Sequence, residues 1–86
     1  MLVEYIQAAM RLATYEILED GTYFGEIPGF QGVWADEPTL EACREELQSA
    51  LEDWIVLGLR LGHDLPVVDG KDLNAKPARK RGKRVA

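Results

Sequence analysis

These 86 residues hold only one cysteine and one histidine. The lone Cys43 excludes an intrachain disulfide and leaves no cysteine-based zinc site. No apolar run approaches the roughly 20 residues that cross a bilayer as a helix, so no membrane contact is expected. The opening stretch MLVEYIQAAMRLATYE has an acid at Glu4 and lacks the basic start of a signal peptide. Cytoplasm is therefore the expected location. Gly25, Gly29 and Gly32 do not form a phosphate loop, because no GKS or GKT follows them and no helix begins directly after them. They read as turn-formers.

Positive charge is scarce through most of the chain. Residues 1–70 hold only Arg11, Arg44 and Arg60 against 14 acids, a net of −11. Residues 71–86 hold seven bases and one acid, Asp72, a net of +6. The chain is thus an acidic body (residues 1–70) followed by a basic tail (residues 71–86) expected to have no fold of its own. An acidic body repels nucleic acid and attracts a basic partner, and the tail does the opposite. A domain this small buries only about 60–65% of its unfolded surface and gains from a partner or from self-association.

What is present predicts an α+β unit. Leu2, Ile6, Ala9 and Met10 recur at helical spacing, with Glu4, Gln7 and Arg11 between, and predict a helix over 2–12. The period then changes. Residues 13–18 alternate with β-branched and aromatic side chains, Asp20-Gly21 is a hairpin dipeptide, and residues 23–27 resume extended chain. Gly25 inside that strand signals a bulge or a close backbone approach. Pro28-Gly29-Phe30-Gln31-Gly32 makes a second turn before a strand at 32–36. Three strands with short connections predict an antiparallel meander. Thr39 is a fitting N-cap for a long amphipathic helix, with Leu40, Cys43, Leu47, Ala50, Leu51, Trp54, Leu57 or Gly58, and Leu61 on its apolar stripe. Gly62 ends it. Leu65-Pro66-Val67-Val68 reads as a short fourth strand at a sheet edge, where Pro66 is tolerated.

The candidates for chemistry read mostly as structure. Glu26, Asp36 and the helix acids could pair for acid–base work only with convergent geometry, and without it they make a solvated acidic face. His63 follows the helix end, where an imidazole can meet the helix dipole, and no nucleophile or orienting group is evident for it. Cys43 lies on the apolar stripe among acids and reads as a small buried hydrophobe. Tyr15, Tyr23, Phe24, Phe30 and Trp34 could form a base-stacking platform, but such platforms have basic surroundings and these are acidic. No enzymatic activity, metal or cofactor is expected. In the tail, Lys76, Arg79, Lys80, Arg81, Lys83 and Arg84 suit contact with nucleic acid. A stand-alone nucleic-acid-binding module acting through them is the alternative function.

The ordered set Tyr23, Glu26-Ile27-Pro28-Gly29-Phe30-Gln31-Gly32-Val33-Trp34-Ala35, Thr39-Leu40-Glu41-Ala42, Gly62 and Leu65-Pro66 resembles the HicB antitoxin family. The resemblance spans about residues 13–68. It implies a partial ribonuclease H-like fold and a protein that binds and neutralises a HicA-type toxin, a small basic mRNA-cleaving ribonuclease. The surface offered to that partner is expected to include Glu26, Trp34, Asp36, Glu45 and Glu52. The N-terminal helix is a departure from many relatives, and these 86 residues are expected to hold no C-terminal helix-turn-helix or ribbon-helix-helix domain. A free sheet edge with Tyr15, Phe24 and Trp34 predicts a homo-oligomer, a dimer or larger.

Overall fold

The computed structural model describes residues 2–73. Helix α1 (Leu2–Arg11) leads into strands β1 (Thr14–Ile17), β2 (Tyr23–Glu26) and β3 (Trp34–Glu37), and then into helix α2 (Leu40–Leu61). The strands form one antiparallel sheet in the order β1-β2-β3. The α+β meander with a long helix packed on it is as the sequence predicts.

The turns set the register. Between β1 and β2 the chain makes a β-turn from Leu18 to Gly21, with Gly21 at φ 86° as the left-handed residue. Asp20 braces it by accepting from the Thr22 amide at 3.0 Å and its hydroxyl at 2.7 Å. The β2–β3 connection is two β-turns in tandem. The Phe30 amide donates to the Ile27 carbonyl at 3.0 Å, and the Val33 amide donates to the Phe30 carbonyl at 3.1 Å. Gly29 and Gly32 take positive φ at the third position of each turn, the position that favours glycine. This tandem gives Ile27, Phe30 and Val33 a three-residue spacing that buries all three.

In register, Tyr15, Gly25 and Ala35 lie side by side on the face covered by α2. The helix crosses β3 and β2. Its buried row is Cys43, Leu47, Leu51, Ile55 and Gly58. Thr39 caps its start, accepting from the Ala42 amide at 3.1 Å. Gly62, at φ 73°, closes its end, with the His63 amide donating to the Gly58 carbonyl at 2.9 Å. Leu40 and Leu61 were expected on the buried stripe but are exposed. The reason is length: a helix of 22 residues runs about 33 Å, whereas four-residue strands span about 13 Å. Its two ends outrun the sheet.

The rest of the core comes from α1 and the segment after α2. Tyr5, Ala8 and Ala9 of α1 are buried. The Tyr5 ring meets Phe30 edge-on at 6.3 Å, and Phe30 in turn lies 5.2 Å from Trp54. The expected fourth strand is absent from the sheet among the described residues. Residues 65–68 instead pack against the helices: Leu65 lies over Gly58, Val68 is buried, and the Tyr5 hydroxyl donates to the Pro66 carbonyl. Burial of Leu65 and Val68, with the Pro66 carbonyl taken by Tyr5, holds the segment away from the sheet. Its backbone pairing is a tight turn in which Val68 and Lys71 exchange both hydrogen bonds around Asp69 and Gly70, each at positive φ. Leu73 packs against the core, so the packed body runs slightly past the expected boundary at residue 70.

Candidate functional site: the open face of the sheet

Each strand turns one set of side chains toward α2 and the other set away from it. The outward set is Thr14 and Glu16 on β1, Phe24 and Glu26 on β2, and Trp34 and Asp36 on β3. No described element packs over this set. Phe24 and Trp34 stack diagonally across the strand pair, with centroids 6.0 Å apart and planes 24° from parallel. Trp34 remains 56% exposed, a large value for an aromatic in a sheet. Beside the rings, the tandem turn rises to form a hollow of about 410 Å³ lined by Glu26, Pro28, Gln31 and Trp34 among others.

Charge on this face has one sign. Glu16, Glu26 and Asp36 surround the aromatic pair, and no lysine or arginine occurs between Thr14 and Glu37. An exposed ring backed by a half-buried one, with carboxylates around them, suits a partner that brings guanidinium or ammonium groups, which stack on aromatic faces and pair with acids.

The five expected partner-binding residues fall into two groups. Glu26, Trp34 and Asp36 share the open sheet face. Glu45 and Glu52 do not join them: they lie on the solvent side of α2, where the Gln48 amide donates to Glu52 at 3.1 Å. The same side of α2 flanks a cleft of about 590 Å³ against α1, lined by residues such as Ile6, Met10, Arg44 and Glu52. That cleft mixes both signs of charge and has no exposed aromatic ring. Sequence reasoning left Glu16 and Phe24 out of the partner surface. The strand register that places them beside Trp34 was the missing signal.

The remaining candidates are structural. Tyr15 and Tyr23 point to the helix side, and Phe30 is buried, so the five aromatics do not form one platform. Burial pushes the Tyr15 hydroxyl above its usual value, with Arg44 partly opposing it. Cys43 is fully buried, and its Sγ lies 3.6 Å from the Ala35 carbonyl it donates to. Burial pushes this thiol up, with the charges of Asp36 and Glu37 adding to the effect. His63 is exposed beyond α2. Among the described residues no group of three or more His, Cys, Asp or Glu could hold a metal ion, and no helix is long and apolar enough to cross a membrane. The tail residues Lys76, Arg79, Lys80, Arg81, Lys83 and Arg84 lie outside the described residues.

No curated protein matches the chain. Among solved structures, the protein TTHA0281 from Thermus thermophilus is 39% identical and superposes with a TM-score of 0.79, over 85% of this chain and 91% of its own. The model of the UPF0150-like family matches residues 4–66, which takes in the whole meander, α2 and nearly all of α1. The chain belongs to the UPF0150-like family.

Proposed function

We propose that this protein is a cytoplasmic antitoxin of the HicB type, which binds and neutralises a small basic HicA-type toxin through the open face of its sheet. The observation that carries the reading is the exposed Trp34 ring, stacked on the half-buried Phe24 and set among Glu16, Glu26 and Asp36 with no base on any strand. Opposite charge steers encounter with a basic protein and disfavours an RNA competitor for the same surface. The aromatic pair supplies the desolvated anchor that carries most of the energy of such interfaces. The resemblance over about residues 13–68 supports the identity of the partner. In this role the protein acts by covering the toxin's RNA-cleaving surface and performs no reaction itself. Self-association accompanies the role, supported by the exposed Val56, Leu57, Leu59 and Leu61 at the end of α2 and by the outer edges of β1 and β3.

The test is co-expression with the small basic protein encoded next to this chain's own reading frame. The expected outcome is growth arrest by that protein alone, rescue by this chain, and co-purification of the two. Arrest without rescue and without a complex removes the reading.

A further inference from the structure

We infer that two copies of this chain pair through the outer face of the last turns of α2, antiparallel and related by a two-fold axis between Val56 and Leu57. Val56 and Leu57 are 54% and 56% exposed, and Asp53 and Arg60 beside them are exposed as well. At 3.6 residues per turn these four positions share one face of the helix, opposite the buried Leu51, Ile55 and Gly58. The segment after α2 seats Leu65 against Gly58 and so covers the buried side only. Two adjacent aliphatic side chains are left in water between an acid and a base.

The four residues complement themselves. Asp53 stands three positions before Val56, and Arg60 stands three positions after Leu57. A two-fold turn between Val56 and Leu57 therefore sets Val56 of each copy on Leu57 of the other, and Asp53 of each on Arg60 of the other. An isologous contact requires this relation, in which residue i meets j and j meets i. Among the described residues neither charge has an ion-pair partner in its own chain. A parallel pair would instead lay Asp53 on Asp53 and Arg60 on Arg60. Pairing of sheet edges is the rival arrangement. It would bring Glu16 of β1, or Asp36 and Glu37 of β3, against acids of the other copy, and charged side chains on an edge oppose such pairing. Because α2 covers the inner side of the sheet, pairing through its outer face leaves the open sheet faces of both copies free for a partner.

This inference rests on the self-association proposed above and not on the identity of the toxin. Sedimentation equilibrium over a concentration series measures the dimer constant of the full chain, of Leu57→Asp, of Asp53→Arg, of Arg60→Asp, and of the chain carrying both charge reversals. The unsubstituted chain should form a dimer, and Leu57→Asp should leave a monomer. Each single reversal sets like charges against one another at both ends of the contact and should weaken the dimer roughly tenfold or more. The double reversal restores opposite pairs at both ends and should return the constant to within about threefold of the original. Asp53 and Arg60 lie about 10 Å apart along the helix axis, beyond the three- and four-residue spacings at which side chains of one helix pair. Recovery in the double variant therefore reports a contact between copies. A monomeric unsubstituted chain, a dimer that Leu57→Asp leaves intact, or a double reversal no tighter than the single ones overturns the inference. A monomer here leaves the co-expression rescue free to succeed, and a failed rescue leaves the dimer free to form.

Discussion

Two glycines show how single positions shape this protein, and they do so differently. A Cβ on Gly25 would stand 2.9 Å from the Tyr15 ring and 3.0 Å from the Cys43 sulfur. Both neighbours are held by the sheet and by α2, so neither can move aside cheaply. Gly25→Ala should therefore lower stability by about 1–3 kcal/mol, read as a lower denaturant midpoint with an unchanged slope. A Cβ on Gly58 would meet only the tip of the Leu65 side chain, at 2.8 Å. There a rotamer change, together with a helix-propensity gain of up to about 1 kcal/mol, should leave Gly58→Ala near neutral. The sequence offers Gly25 both as a turn-former and as a bulge or close approach; the residue lies inside β2, not in a turn, and the close approach is what occurs. It did not show what approaches, because Tyr15 and Cys43 come from elements on either side.

Cys43 makes a second residue-scale prediction. Its thiol and the hydroxyls of Tyr5 and Tyr15 are all pushed above their ordinary values, mainly by burial. A raised value means that the folded state keeps its protons where the unfolded chain has begun to lose them. The contribution to stability is complete below the unfolded value and is lost as pH rises above it. Unfolding free energy should therefore hold steady through neutral pH and fall from about pH 9, the ordinary thiol value of 9.0. Denaturant titrations across that range check it. Over the same neutral range a thiol reagent should label Cys43 only as fast as the chain opens.

At the scale of elements, α2 was legible because its apolar residues recur over many turns between a capping Thr39 and a terminating Gly62. The meander was legible from its turns. The segment at 65–68 was not. Its β-branched residues and Pro66 suit an edge strand, but its buried side chains have the exposed end of α2 to cover, and its carbonyl finds Tyr5. Nothing in the local sequence reveals a hydrogen bond to a residue 61 positions away. Tyr5 itself was not expected among the buried residues of α1, since a tyrosine on a helix that short is as suited to the surface. This contact ties the two ends of the packed body together. Tyr5→Phe keeps the ring against Phe30 and leaves the Pro66 carbonyl without its donor, which should cost about 1–3 kcal/mol in equilibrium unfolding.

At the scale of the whole molecule, the chain has two acidic sides of different character. One is the solvent side of α2, charged and interrupted by arginines. The other is the open sheet face, where carboxylates frame the exposed Trp34 ring and the half-buried Phe24 stacked on it. The charge split between body and tail was visible in the sequence. The division of Glu26, Trp34 and Asp36 from Glu45 and Glu52 was not, because it depends on which side of the sheet the helix covers. In the proposed function the sheet face meets the partner. The affinity of the purified complex with the co-encoded basic protein, measured for Trp34→Ala and for the pair Glu45→Gln with Glu52→Gln, tests it most directly. Trp34→Ala should weaken binding roughly 10- to 100-fold, as loss of a central aromatic anchor does. The helix pair should stay within about threefold, as for exposed charges outside the contact. Unchanged binding by Trp34→Ala, with a large loss for the helix pair, would put the contact on α2 and not on the sheet face.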